Sequence, residues 1–207
     1  MSQETARELI DFIEKSPTSF HAVAAMEEML EGEGFTKLEE KERWQLVPGG
    51  KYYTTRNGSA LIAFTVPRKE LTGFRIIASH SDSPSFKIKE NPEMLVENQY
   101  VKLNTEGYGG MICAPWLDRP LSVAGRIAVK DQGKIVTRLV NIDRDLVMIP
   151  NLAIHMNREA NNGYKYNPQK DLLPLFGEAS AKGKFQKILA EAAGVKEEEI
   201  LGHDLFL

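Results

Sequence analysis

The chain has very little cysteine and no long apolar run. Its 207 residues include one cysteine, Cys113, which excludes an internal disulfide and a metal site built from thiolates. No apolar stretch approaches the roughly 20 residues of a membrane-spanning helix. The amino terminus also lacks a basic region followed by an apolar one. We therefore expect a cytoplasmic protein with no membrane partner.

The chain also has no strong excess of charge of either sign. Its 26 basic and 29 acidic residues are interspersed and give a net charge of -3. Because proteins that bind nucleic acid usually present a basic surface, we expect no nucleic-acid partner. The 42% of hydrophobic residues is enough for one good core or for two small domains.

One stretch, residues 74–89, carries the most informative chemistry: FRIIASHSDSPSFKIK. The run Ile76–Ala78 predicts a buried strand that stops where the polar residues begin. His80 and Asp82 are two positions apart, so in extended chain their side chains leave on the same face. The carboxylate would then accept a hydrogen bond from one imidazole nitrogen and leave the other for a metal. Ordinary turns use the same residue types, and one ligand does not make a zinc site, so both interpretations stay open here.

The chain before this stretch predicts two helices and a hairpin. Amphipathic spacing predicts a helix over residues 3–15, and a second helix is expected from about residue 18 to Gly34. His21 falls in its first turn and is predicted to pack or cap, because no carboxylate or second histidine stands at helical spacing from it. Asn57-Gly58 between two alternating runs predicts a hairpin turn. Together with the strand before His80, these elements predict an α/β layer with a site at a strand's carboxyl end.

The remaining chain predicts a mostly β region. Asn91-Pro92 is interpreted as a boundary, after which strand-like runs alternate with glycine turns. A helix is expected over residues 179–193, closed by Gly194, and an apolar strand from Ile200. His203-Asp204 is interpreted as the start of a linker that leads back to the first region.

Four ordered stretches of this sequence resemble the M18 metalloaminopeptidases. They are residues 16–23, the SHSDSP segment at 79–84, residues 107–127 and residues 149–169. The resemblance implies an α/β fold in which part of a zinc-peptidase-like catalytic core carries an inserted, mostly β dimerisation domain. On this basis residues 1–90 would belong to the catalytic domain. Residues 91–207 would form the dimerisation insert, with its helix and return linker.

The resemblance also implies roles for three residues. His80 corresponds to the first metal-binding histidine of a two-zinc site, and Asp82 to the acid that orients it. His155 corresponds to a histidine that reaches from the insert into the partner subunit's active site and stabilises the transition state. An ordinary edge-strand histidine remains the alternative for His155. Asp118 and Arg119 lie in the insert and are expected to form an ion pair or a turn rather than metal ligands.

The family's other ligands and its general base have no match in this sequence. Glu197–Glu199 follow a helix in a charged turn and are interpreted as solvated charge. The sequence therefore resembles the amino-terminal half of the family's polypeptide. We expect an aminopeptidase that removes an amino-terminal, acidic residue from peptides and forms dimers within a larger homo-oligomer, with this chain inactive alone. The alternatives are a non-catalytic oligomerisation module and another two-metal hydrolase such as a deacylase.

Overall fold

Two helices and a small sheet form the first of two units into which the chain divides, between Ser83 and Pro84. The structure, a computed structural model, describes residues 3–207. Met1 and Ser2, with which the first predicted domain begins, lie outside the described residues. Assigning a catalytic role to residues 1–90 and a dimerisation role to residues 91–207 stays a prediction.

Both helices expected in the first unit are confirmed. Helix α1 (Gln3–Glu14) is amphipathic but buries none of its side chains. Helix α2 (Ser19–Gly32) follows Thr18 and buries Phe20 and Val23. The chain leaves α2 through Gly34, whose φ of +78° lies in the left-handed region that favours glycine.

The predicted hairpin is also confirmed. Strands β2 (Lys51–Arg56) and β3 (Ala60–Thr65) pair antiparallel, and the short β1 (Thr36–Lys37) pairs parallel with β2. Asn57 and Gly58 have φ values of 54° and 62°. Positive φ at both central positions is what a type I′ turn requires, and the N–H of Ser59 closes this turn on the main-chain oxygen of Arg56 at 3.2 Å. Neighbouring residues are therefore enough to specify the turn.

The predicted buried strand over Ile76–Ala78 is wrong for this structure. Residues 66–84 form neither helix nor strand, and every residue from 71 to 80 is exposed. Ile77 is 100% exposed. A strand is stabilised by neighbours that pair with its backbone and cover its side chains, and the described residues supply neither to this segment.

An antiparallel sheet of six strands dominates the second unit. The strands lie in the order β7-β6-β9-β4-β5-β8. The predicted helix begins later than expected, at Phe185 rather than Ala179, because residues 179–181 form a separate 3₁₀ turn. Gly194 closes the helix with a φ of +64°, as predicted. The bounds are β4 (Ser85–Val96), β5 (Tyr100–Tyr108), β6 (Ala124–Asp131), β7 (Lys134–Asn141), β8 (Leu175–Glu178), α3 (Phe185–Ala193) and β9 (Ile200–Phe206).

The main core of this unit lies between the sheet and α3. Leu103, Ile127 and Leu205 from the strands are fully buried with Phe185 of the helix. A smaller cluster surrounds Phe86, whose ring meets that of Trp116 edge-on at 5.1 Å between centroids. Burying such side chains stabilises a fold by about 1.5–3 kcal/mol each, so the second unit has a substantial core of its own.

Two predictions about secondary structure in the second unit are wrong. Asn91-Pro92 does not end a segment, because β4 runs through it; a register shift between Ile88 and Glu93 accommodates the proline in the strand. His203 and Asp204 do not begin a linker. They lie in β9, which runs between β6 and β4 and shares its buried face with Ile127.

The predicted mixed α/β class, with a β-rich second part, is confirmed by this arrangement. No helix within residues 3–207 is both long and apolar enough to cross a membrane.

Candidate metal and active-site residues

His80 and Asp82 are brought together in the first unit. The imidazole Nδ1 of His80 lies 2.9 Å from the main-chain oxygen of Asp82 and 3.2 Å from its carboxylate Oδ1. Both oxygens are acceptors, so a neutral His80 must carry its proton on Nδ1 to make these contacts. The Nε2 lone pair is then the one available to a metal. The His80 side chain is 82% exposed, so this nitrogen is accessible.

The chain around this pair is held by the neighbouring hairpin. The hydroxyl of Ser81 donates a hydrogen bond of 3.1 Å to the main-chain oxygen of Ser59, directly after the Asn57-Gly58 turn. This bond fixes the residue between the two candidate side chains. The spacing argument, with both side chains leaving on one face, agrees with the observed contact between them.

The chemistry of the pair fits zinc, but the number of ligands is incomplete. An imidazole backed by a carboxylate is a frequent zinc ligand arrangement, and a structural or catalytic zinc site needs three or four ligands in all. Within residues 3–207 there is no group of three or more His, Cys, Asp or Glu side chains that could hold a metal ion. As a metal donor His80 therefore stays a prediction, and residues 3–207 bring no group of companion ligands to it.

His155 lies in the second unit, at the tip of a tight turn rather than on a strand. The N–H of Met156 donates to the main-chain oxygen of Ala153 at 2.8 Å, which closes the turn around His155. The side chains of Ile154, His155 and Met156 are all exposed. The turn thus presents an imidazole to solvent together with two apolar neighbours.

Asp118 anchors the start of the His155 segment. Its backbone has a φ of 57°, and its carboxylate Oδ1 accepts a 2.9 Å hydrogen bond from the N–H of Asn151. Its own N–H donates to the main-chain oxygen of Ile149 at 2.9 Å. Of the two roles predicted for Asp118, this geometry supports the turn. Residues 149–151 are therefore tied to the chain around residue 118.

A small cavity of about 120 Å³ lies beside the same segment. Two lysines line it, Lys102 and Lys170, and neither ammonium group has a hydrogen bond or ion pair within the described part of the chain. The wall also includes Leu152 and Asn157, which flank His155 in sequence. The carboxylate of Asp171, a further lining residue, accepts a hydrogen bond from Tyr164 Oη at 2.9 Å. The cavity therefore has surplus positive charge next to the His155 turn.

Two other histidines have structural surroundings. His21 Nδ1 lies 2.8 Å from Thr18 Oγ1 at the start of α2, and burial lowers the pKa of His21. This agrees with its predicted role in packing or capping. In His203 both ring nitrogens are buried without a hydrogen-bond partner among the described residues. Burial lowers the pKa of His203, and the nearby charges of Glu90 and Asp204 act in the opposite direction.

Sequence reasoning missed the lysine-lined cavity and the role of Glu93. Lys102 and Lys170 are 68 positions apart, and only the fold brings them to one cavity. Glu93 binds backbone N–H groups at the start of α3 across the unit. Glu197 and Glu198 are exposed as predicted, whereas Glu199 is half-buried and accepts a 2.8 Å hydrogen bond from the N–H of Lys196.

Comparison with known proteins gives a consistent match along almost the whole chain. The family model described as "Aminopeptidase I zinc metalloprotease (M18)" matches residues 12–207. A "Probable M18 family aminopeptidase 2" of Clostridium acetobutylicum is 49% identical over 212 residues, which cover 99% of this chain and 49% of that protein. A protein of the same name from Pseudomonas aeruginosa PAO1 is 40% identical over 213 residues, with the same coverage of 99% and 49%. The chain thus spans about half the length of the curated relatives it matches.

Solved structures match to a similar extent. Ape4 in its complex with Nbr1 has a TM-score of 0.92 and 33% identity, covering 97% of this chain and 43% of that one. The mApe1 of Chaetomium thermophilum has a TM-score of 0.87 and 32% identity, covering 97% and 49%. The mApe1 of S. cerevisiae, described as a dodecamer, has a TM-score of 0.77 and 29% identity, covering 98% and 47%.

Proposed function

The chain belongs to the M18 family of aminopeptidases, and from that premise we propose that it supplies the amino-terminal part of a zinc-dependent aminopeptidase site. In this proposal residues 1–90 are part of the catalytic domain and residues 91–207 form the dimerisation insert. The remaining ligands and the general base come from the half of the family's length that this chain does not span. The chain alone is then inactive, and its expected location is the cytoplasm.

The observation that carries the proposal is the contact between His80 and Asp82. Two acceptor oxygens face Nδ1, at 2.9 and 3.2 Å, and this leaves Nε2 as the metal donor. Asp82 holds the ring in one orientation. When bound, zinc supplies Lewis-acid polarisation of a peptide carbonyl and lowers the pKa of a bound water, with two ions expected in the complete site.

His155 has the surroundings needed by a residue that one subunit contributes to the active site of another. Its ring lies exposed at the tip of a turn, and Asp118 anchors the chain a few residues before it. An imidazole N–H placed near the scissile carbonyl would donate a hydrogen bond to the oxygen as negative charge develops there. This role requires a homo-oligomer, which we propose is a dimer built into a larger assembly. The dodecameric mApe1 of S. cerevisiae supports that proposal.

The lysine-lined cavity supports a preference for acidic amino-terminal residues. Neither the Lys102 nor the Lys170 ammonium group has a hydrogen bond or ion pair to residues 3–207, and the cavity wall includes both flanks of the His155 turn. A carboxylate side chain placed there would gain charge-assisted hydrogen bonds that a neutral side chain cannot make. Replacing both lysines by methionine in a complete enzyme should lower kcat/KM for an Asp-linked substrate about tenfold or more, and leave an Ala-linked substrate within about twofold. Equal losses for the two substrates would contradict the acidic preference.

The activity itself is tested with the purified chain, zinc and an Asp-linked chromogenic substrate. We expect no turnover, because one metal donor cannot assemble the site. Robust turnover would contradict the view that the site is incomplete. In a complete version, His155→Ala should lower kcat by about 100-fold or more, as the loss of a transition-state hydrogen bond does, while the thermal midpoint stays unchanged. Met156→Ala, at the neighbouring exposed position, is the matched control.

A further inference from the structure

The chain contains two Asn-Gly pairs, and they lie in different surroundings. Asn57-Gly58 forms the tight turn of the β2–β3 hairpin, whereas Asn162-Gly163 lies in a run of turns over residues 158–163 of the second unit. All four residues are exposed. An asparagine followed by glycine readily loses its side-chain amide, because glycine has no Cβ to hinder attack by its own nitrogen. Each pair is therefore a candidate site of spontaneous modification.

The pair at 162–163 leaves both reacting groups able to move. The N–H of Gly163 donates no hydrogen bond to residues 3–207, and residues 158–163 pair with no strand of the described chain. The side-chain amide of Asn162 is held only loosely, because its Nδ2 lies 3.5 Å from Glu159 Oε2, at the limit of a hydrogen bond. The Gly163 nitrogen and the Asn162 Cγ can therefore approach each other without loss of strand pairing.

The hairpin opposes the same reaction at Asn57. The N–H of Ser59 is bound to the main-chain oxygen of Arg56 at 3.2 Å, and β2 and β3 pair along their whole length. Asn57 has a φ of 54°, as its turn requires. Closing a ring with the nitrogen of the next residue requires the backbone of Asn57 to rotate out of this turn. The reaction at Asn57 must therefore pass through an opened hairpin end, which is rarely populated.

We propose that Asn162 is a deamidation site of this chain and that the hairpin protects Asn57. The Gly163 nitrogen forms a bond to Asn162 Cγ, the Cγ–Nδ2 bond breaks, and ammonia leaves with the proton that the Gly163 nitrogen gives up. Water then adds to one of the two carbonyl groups of the resulting succinimide ring and opens it to aspartate or isoaspartate. Every step is a substitution or a hydrolysis, so water is the one co-reactant.

The products change the segment that leads to the lysine-lined cavity. Either product adds a negative charge close to that of Glu159, whose carboxylate contacts the Asn162 amide. Isoaspartate also adds a methylene group to the main chain shortly before Tyr164. The hydroxyl of Tyr164 donates to Asp171 at 2.9 Å, and both residues line the cavity. Residues 158–164 should therefore loosen as the protein ages.

The test incubates the folded 207-residue chain at mildly alkaline pH and follows both Asn-Gly pairs by peptide mapping with mass spectrometry. Replacing NH₂ by OH changes the peptide mass, and the aspartate and isoaspartate products separate by chromatography. We expect Asn162 to react at least about tenfold faster than Asn57, which corresponds to a hairpin opening that costs about 1.4 kcal/mol. In urea, where the hairpin is unfolded, the two pairs should react at similar rates.

Asn162→Gln is the matched variant, because it keeps an amide whose longer side chain closes a ring much more slowly. It should stop the change at position 162 and leave the rate at Asn57 unaltered. Hydrogen exchange in residues 158–164 should become faster in the aged wild type and stay unchanged in aged Asn162→Gln.

Two results would overturn the inference about the site. One is a folded chain in which Asn57 reacts as fast as Asn162 or faster, and the other is an Asn162 amide that is lost in urea but persists in the folded chain. Unchanged hydrogen exchange after complete conversion would overturn the loosening of residues 158–164. The inference goes beyond the proposed function, and peptidase turnover plays no part in these measurements, so the two can fail separately.

Discussion

Glu93 should contribute more to the stability of the second unit than any surface glutamate. Its side chain is 9% exposed, and its carboxylate accepts hydrogen bonds from the N–H groups of Gly183 at 2.5 Å and Phe185 at 2.8 Å. Phe185 is the first residue of α3 and is fully buried in the main core. A register shift in β4 lies just before Glu93.

The magnitude follows from these two bonds. A hydrogen bond to a charged group contributes about 1.5–3 kcal/mol, and a carboxylate at a helix amino terminus adds about 0.3–1 kcal/mol. Glu93→Ala removes both bonds and the charge at the helix start, so we expect a loss of about 3–7 kcal/mol in the free energy of unfolding. Glu93→Gln keeps one acceptor oxygen without the charge, and should cost about 1–2 kcal/mol. Glu106→Ala, at an exposed position on β5, should cost less than about 0.5 kcal/mol.

The assay is urea unfolding followed by the fluorescence of Trp116, which packs on Phe86 in the second unit. The other tryptophan, Trp44, lies in the first unit. All variants therefore also carry Trp44→Phe, so that the fluorescence reports on the second unit alone. A loss for Glu93→Ala below about 1 kcal/mol, or equal to that of Glu106→Ala, would refute the reasoning from burial and charge-assisted bonding.

Three further predictions test the second unit. In Gly125→Ala the added Cβ would lie 2.1 Å from the main-chain oxygen of Asp204, so β6 and β9 should separate and the Trp116 unfolding transition should be lost. Burial lowers the pKa of His203 from its ordinary 6.5, so the unfolded chain binds a proton at this residue more readily than the folded one. The free energy of unfolding should therefore fall as the pH drops below about 6.5. In His203→Leu this fall should be smaller. Asp118→Ala removes both the acceptor for Asn151 and a residue type that tolerates positive φ, so it should speed hydrogen exchange in residues 150–157.

Matched variants keep these predictions falsifiable. Gly133→Ala, in the turn between β6 and β7, has open space around its Cβ and should cost only the strain of its positive φ. If it damages the fold as much as Gly125→Ala, the steric argument is wrong. If the free energy of unfolding falls equally with pH in the wild type and in His203→Leu, His203 does not contribute to the pH dependence. Asp118→Asn keeps an acceptor and a tolerated φ, so exchange as fast as in Asp118→Ala would contradict the anchoring role.

Local chemistry explains which parts of the fold could be predicted. The Asn57-Gly58 hairpin and the helix stop at Gly194 each depend on residues that adopt positive φ, and the neighbouring sequence contains all the information needed. The contact between His80 and Asp82 is equally local. It follows from their spacing of two residues, and the structure brings the two side chains together.

The remaining features depend on distant residues. Ile76–Ala78 has the composition of a buried strand, but its exposure depends on neighbours that the described chain does not provide. The proline at position 92 indicated a boundary, whereas a register shift absorbs it within β4. The lysine cavity and the helix contact of Glu93 arise only when strands far apart in sequence are aligned. His155 was predicted as a site residue only from the family resemblance. Nothing in the local sequence distinguishes it from an ordinary exposed histidine in a turn.

We propose that His80 is a metal donor whose companion ligands lie in the other half of the M18 fold. The direct measurement is the zinc content and turnover of a fusion that joins this chain to the carboxyl-terminal half of the Clostridium acetobutylicum relative. His80→Ala should lose zinc and turnover together, whereas His21→Ala, at a partly buried helix histidine, should keep both. A His80→Ala fusion that retains full zinc and full turnover would contradict the account.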